Sequence, residues 1–190
     1  VYLQGSELKN RVAFYDFSEI GKNVPNRLVG GFDDEFQGDM VPRVTYMGNP
    51  YSCAFSGKAL TFFSSRNLAS PELVEQRNIE ERIDSVFYSD EYAAAIVRNT
   101  NGEYGSRLEV YKKDGTHVLS KEFNFEYTHA DFDGDLIILY NEDSCRIYNM
   151  SGTEKFDATF DFPVSKIRKG RFPGTLVVTG PQQMQELKLR

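Results

Sequence analysis

The chain repeats one phrase, and the repeat constrains the fold more than any other feature. Between Ile83 and Phe123 it reads IDSVFYSD, YAAAIVRN, RLEVYKKDG and THVLSKEF. Each run is rich in β-branched or aromatic residues over four to eight positions and ends at a turn signal, the pattern of short strands. Ser89-Asp90 stops the first run. Ala93 to Val97 is almost continuously apolar, which suits a strand buried on both faces. Leu108, Val110 and Tyr111 are interleaved with Glu109 and Lys112. Asp114-Gly115 then reads as a two-residue type I′ hairpin, a turn that needs positive φ. The fourth run carries Lys121 and Glu122, as an outer edge strand should.

The same four-part phrase recurs on both sides. The third-strand aromatics Tyr15, Phe63, Tyr111 and Tyr148 are separated by 48, 48 and 37 residues. Second strands beginning at Tyr51, Tyr92, Leu136 and Thr175 are separated by 41, 44 and 39. Periods of roughly 40–50 residues with four strands each are those of propeller blades, with a β-sandwich as the rival architecture. The fold expected is therefore all-β: a β-propeller of four-stranded antiparallel blades, in about five units over 1–36, 41–80, 83–123, 127–162 and 164–190.

Within these units the strands fall at Val1–Gly5, Arg11–Phe17 and Arg27–Phe32, then Val41–Tyr46, Tyr51–Phe55, Ala59–Phe63 and Leu73–Ile79. After the Ile83–Phe123 unit, with an insertion at Asn99–Gly105, they fall at Tyr127–Phe132, Leu136–Tyr140, Arg146–Asn149 and Phe156–Phe162. The last unit gives Val164–Ile167, Thr175–Thr179 and Met184–Leu189. Residues 71–82 admit a second reading as an amphipathic helix, since Pro71 suits a helix start and Glu72, Glu75, Glu80 and Glu81 are good helix formers. The repeat favours the strand. The count is eighteen strands, with no inner strand in the first unit and no outer strand in the last. That pattern predicts a partial ring, the C-terminal half of a propeller of seven or eight blades. A self-closed five-blade ring is the alternative. Open blade edges in a partial ring would invite self-association.

Val110-Tyr111-Lys112-Lys113-Asp114-Gly115 and Ile147-Tyr148-Asn149-Met150-Ser151-Gly152 share one hairpin phrase. In it the chain resembles the WD-repeat-like and quinoprotein-like propellers. Taken with its IIxYN and VYxxDG phrases, the whole run is similar to an uncharacterised membrane-anchored propeller family of Gram-positive gut bacteria. That resemblance implies a short cytoplasmic tail, one membrane helix and an external propeller, and it carries over no functional residue.

Composition excludes some roles. The net charge of −6 argues against a nucleic-acid partner, which needs a basic patch. No window of about 18 apolar residues spans a membrane. The sequence begins without Met and without a signal-like segment, so targeting segments are expected to have been removed; an upstream anchor and an extracellular or cell-surface localisation are what the resemblance implies.

No catalytic or cofactor motif stands out. Asp131, Asp133 and Asp135 place three carboxylates in five residues, hard oxygen ligands of the kind Ca²⁺ takes. The order is not that of an EF-hand, and Gly134 makes the same stretch a turn; no metal and no cofactor is assigned. His129 lies two residues from Asp131, a spacing open to a His–Asp general base or to a surface hydrogen bond; His117 is the other histidine. Lys166, Arg168, Lys169 and Arg171 form a basic run suited to an acidic partner or to a solvated strand end, and Asp33 to Glu35 forms an acidic loop. Cys53 and Cys145 read as free buried thiols, without metal spacing.

Two functions remain. One is a non-catalytic extracellular interaction or scaffold module that binds a protein through loops on the blade faces. The alternative is a small-ligand sensor or enzyme with a channel site built from His129, Asp131, Lys166 and Arg168.

Overall fold

In the computed structural model the described residues are 2–4, 7–9, 11–18, 27–32, 41–99 and 103–189. Nineteen strands and no helix occur among them, and no helix there is long and apolar enough to cross a membrane. The chain forms two compact units: Val1–Ala93 with Tyr111–His117, and Ala94–Val110 with Val118–Arg190.

In the first unit four strands precede Val41. β1 (Tyr2–Gln4) pairs antiparallel with β2 (Glu7–Lys9), and β3 (Val12–Tyr15) with β4 (Leu28–Phe32). The sequence expectation of three strands here is overturned. β2 (Glu-Leu-Lys) has one apolar residue in three, too short an alternation to read as a strand. Among the described residues the strands number nineteen rather than eighteen. The acidic run Asp33 to Glu35 lies outside the described residues, as do Val1, Gly5 and residues 100–102 of the expected insertion.

β5 (Arg43–Tyr46), β6 (Tyr51–Phe55), β7 (Ala59–Ser64) and β8 (Glu72–Asn78) follow as one four-stranded antiparallel sheet in chain order. β7 is buried from Ala59 to Phe63, on both of its faces. Its backbone amides therefore need a strand partner. β8 supplies it, with Leu73 opposite Phe63 and Glu75 opposite Phe62, and Gln76 Nε2 donates to Thr61 Oγ1 at 3.2 Å. This demand overrides the helix propensity of the Glu-rich stretch, and the helical reading of 71–82 falls. A buried cluster of Val12, Ala54 and Phe63, with Phe14 and Phe32 against it, joins β3 and β4 to this sheet. The three rings pack with centroids 4.9–6.0 Å apart, in tilted and edge-on geometry.

β9 (Ile83–Tyr88), β10 (Tyr92–Arg98), β11 (Ser106–Lys112) and β12 (His117–Phe123) make the sheet of the template phrase. β10 is buried from Ala93 to Val97, as its continuous apolar run requires.

In the second unit β13 (His129–Asp133), β14 (Leu136–Tyr140), β15 (Ser144–Asn149) and β16 (Glu154–Thr159) form another four-stranded sheet. β17 (Lys166–Lys169), β18 (Thr175–Thr179) and β19 (Met184–Lys188) form a three-stranded one. All five residues of β14 are buried. Leu136, Ile138 and Tyr140 meet Ile167, Leu176 and Val178 in one core, with Phe162 and Val164 filling it from the connection. Phe160 and Phe162, expected within the outer strand, lie past its end.

The repeated hairpin differs from the expected two-residue turn. Lys112 N donates to Thr116 O at 2.8 Å and Gly115 N to Lys112 O at 2.9 Å. Only glycine has positive φ among the described residues, and Gly115 sits at 81°. This is a type I turn on Lys113 and Asp114 followed by a left-handed glycine; a type I′ turn would put Asp114 in the left-handed region as well. Asn149 to Thr153 repeats it, with bonds of 3.0 and 2.9 Å and Gly152 at 78°. In three blades the strand register also shifts at the periodic aromatic, between Phe14 and Tyr15, Phe62 and Phe63, and Ile147 and Tyr148. Those aromatics mark β-bulges, which sharpen the local twist.

A Cβ at Gly115 would lie 2.5 Å from Glu75 Cβ, whereas one at Gly174, also at positive φ, meets nothing within 4 Å. Gly174→Ala should therefore cost about 1–2 kcal/mol, the left-handed penalty alone. Gly115→Ala should cost roughly 2 kcal/mol more from overpacking. Urea denaturation of the two variants measures the difference, and equal costs would refute the packing account.

Candidate functional site

Alternation along β13 and β17 decides where the sequence candidates point. His129, Asp131 and Asp133 share one face of β13, and Lys166 and Arg168 share one face of β17. Lys166 Nζ donates to Asp131 Oδ2 at 2.9 Å, and Asp131 Oδ1 accepts from Phe132 N at 3.0 Å. Asp133 Oδ2 accepts from the backbone amide of Lys169 at 2.6 Å. The Lys169 ammonium binds Asp135. The three carboxylates thus turn to lysines and an amide of the neighbouring first strand. No group of three or more His, Cys, Asp or Glu side chains suited to a metal ion occurs among the described residues.

The expected His–Asp alternative does not form. His129 Nδ1 lies 2.9 Å from Thr128 Oγ1, and its ring stacks on Tyr140 at 4.8 Å with planes 9° apart. Burial raises the Tyr140 phenol, so it stays protonated at neutral pH. His117 packs edge-on against Tyr111 at 5.4 Å. Cys53 and Cys145 are buried and unbridged. Burial pushes the Cys145 thiol up to about 12 and the Cys53 thiol upward as well, so neither supplies a thiolate at neutral pH.

One feature of the surface escaped the sequence reading. Tyr15, Phe17 and Leu68 are 56%, 59% and 56% exposed, and all three line one groove of 310 Å³ together with Phe14 and Pro71. The Tyr15 and Phe17 rings are 6.4 Å apart, and the Arg27 guanidinium lies 5.6 Å from the Phe17 ring centre. Asp16 N donates to Arg27 O at 2.8 Å, and Arg27 Nη1 donates back to Asp16 O at 3.2 Å. Asp16 Oδ1 accepts from Ser18 N at 2.8 Å. This bond holds the carboxyl below its ordinary value and fixes the turn that presents Phe17. The available signal was that aromatic residues continue past the end of the strand, with Leu68 as a lone apolar residue in a polar loop.

The Lys169 hydrogen bond is the main cause of the lowered Asp135 carboxyl. A lowered carboxylate adds stability above its unfolded pKa, and that contribution is lost as pH falls through the folded value. Lys169→Gln should move the Asp135 titration up towards the ordinary carboxylate value. Carboxyl-carbon NMR reads this directly, and an unmoved titration would mean that Lys169 does not hold the carboxylate.

Saccharomyces cerevisiae Sqt1 superposes with a TM-score of 0.55 at 11% identity, over 87% of this chain and 51% of that one. BBS1N, in its complex with ARL6DN, gives 0.53 at 7% identity, over 86% and 56%. The computationally designed Ika4 protein gives 0.52 at 7% identity, over 80% of this chain and 93% of that one. The chain spans about half the length of Sqt1 and of BBS1N. At these identities the likeness shows the fold alone, a β-propeller of four-stranded antiparallel blades. No curated protein sequence matches the chain. A family model matches residues 1–189, and the chain belongs to that family, the family of unknown function DUF5711.

Proposed function

We propose that this chain is a non-catalytic interaction module, displayed outside the cell, that binds a partner protein through the groove of Tyr15, Phe17 and Leu68. One observation carries the reading: three large apolar side chains, each more than half exposed, line a single groove. Exposed aromatics gathered in a concave site are the usual anchors of protein recognition, because a ring buries much area at little entropic cost. The complex of BBS1N with ARL6DN, a structure of the same fold, supports a protein partner in general terms. Resemblance to a membrane-anchored propeller family supports the external location. The alternative, a small-ligand sensor or enzyme on His129, Asp131, Lys166 and Arg168, draws less support, since Asp131 and Lys166 already satisfy each other.

The test is photo-crosslinking on intact cells of the source organism, with a crosslinker at position 68 of the native protein. A discrete crosslinked species is expected. It should vanish in Tyr15→Ser/Phe17→Ser, whose thermal midpoint should stay within about 2 °C because exposed substitutions move stability little. Persistence of the species in the double variant would overturn the groove reading. Protection of the native protein from protease added to intact cells would overturn the external location.

A further inference from the structure

The run from Lys166 to Arg171 carries four cations in six residues, and the structure divides them by partner. Lys166 is held by Asp131 and Lys169 by Asp135. Arg168 and Arg171 meet no carboxylate among the described residues. Arg171 lies in the connection between β17 and β18 and lines a cavity of 390 Å³ with Phe172, Lys169, Asp135, Leu136 and Leu189. Phe172 is 61% exposed at its rim.

The loop is shaped by its own hydrogen bonds. Gly170 N donates to Thr175 O at 2.8 Å, and Thr175 Oγ1 donates to Phe172 O at 2.8 Å. Leu189 N donates to Gly174 O at 2.6 Å, tying the loop to the end of the last strand. These bonds tie down the backbone of the loop, which lowers the entropic cost of binding there.

The chemistry selects the ligand. A guanidinium with no carboxylate partner among the described residues presents a planar fork that matches a carboxylate in two parallel hydrogen bonds. Asp135 would repel an anion, but the Lys169 ammonium neutralises it in place. Phe172, Leu136 and Leu189 supply apolar surface beside the charge. A volume of 390 Å³ takes about two side chains, so the rest of the ligand must run out over the rim. We propose that this cavity is a binding site for an acidic peptide segment, with one side-chain carboxylate on Arg171 and the neighbouring apolar side chain against Phe172, Leu136 and Leu189. The chain's net charge of −6 does not steer such a ligand from afar. At physiological salt, charges beyond about 8 Å are screened, and the local Arg171 pair decides affinity. The inference rests on Arg171 and its cavity, and it stands whether or not the Tyr15 groove binds a protein.

The experiment is an amide NMR titration of the full chain with acetyl-Glu-Leu-Glu-Phe-amide and with its twin in which both Glu are Gln. The acidic peptide should give saturating shifts at Gly170, Arg171, Gly174 and Thr175. The neutral twin should bind at least about tenfold more weakly. Arg171→Gln should lose about tenfold for the acidic peptide, with amide shifts outside the loop unchanged, and Arg168→Gln should stay within about twofold, since Arg168 does not line the cavity. Equal binding of the two peptides, retained affinity in Arg171→Gln, or no shift at these four amides up to millimolar peptide would each overturn the proposal.

Discussion

Stacking of one sheet on the one before it depends on the hairpin that joins the third and fourth strands. Gly115 carries its turn against Glu75 and Phe62 of the preceding sheet, and its carbonyl accepts from Arg77 Nε at 2.9 Å. Tyr111, four residues earlier, packs on Phe62 at 6.1 Å. In the other unit Gly152 sits against Leu119 and Lys121, and the Lys121 ammonium lies 5.6 Å from the Tyr148 ring centre. The tyrosine and the glycine of the repeated phrase are thus the two ends of one docking device. The glycine removes a Cβ where the outer strand passes, and the tyrosine covers the side chains beside it. This accounts physically for why the phrase recurs.

That device is needed because the middle strands are apolar on both faces. β7, β10 and β14 have no solvent side to give up. At about 25 cal/mol per Å² of apolar surface, leaving either face bare would forfeit several kcal/mol per strand. Each of these sheets must therefore be covered on both sides, and most polar groups are driven to strand ends, first and outer strands and loops. Two cavities with exposed aromatic residues among the described residues, beside Phe17 and beside Phe172, are both formed in part by connections.

The middle strands were legible because continuous apolar runs bounded by turn residues leave few alternatives. Tyr51–Phe55, Leu136–Tyr140 and Thr175–Thr179 have the same limits in sequence and structure. Strands with little apolar content were not legible: β2 has a single leucine, and β17 begins at Lys166, two residues after the expected Val164. The periodic aromatics were read as a count of blades, but their local role, the bulge against the outer strand, is a property of pairing that no single strand encodes. The turn at Asp114-Gly115 was misread for a related reason. The dipeptide permits type I′, and the choice of a three-residue loop is made by Thr116 pairing with Lys112 across it. Side-chain exposure at Tyr15, Phe17 and Leu68 was out of reach, because it depends on what fails to cover them.

The two charged motifs that looked like separate functional candidates are partners of each other. The carboxylates of Asp131 and Asp133 on β13, and of Asp135 in the turn after it, face the run from Lys166 to Lys169 on β17. Three contacts join them: Asp131 to the Lys166 ammonium, Asp133 to the Lys169 amide, and Asp135 to the Lys169 ammonium. Each exposed pair contributes at most about 1 kcal/mol, so the seam adds little to stability. Its effect is on register: a shift of one residue would turn Lys166 away from Asp131 and bring Ile167 onto the charged face. A metal at Asp131 and Asp135, or an acidic partner at Lys166 and Lys169, would first have to break this seam. Of the cations that the seam leaves over, Arg171 lines a cavity among the described residues.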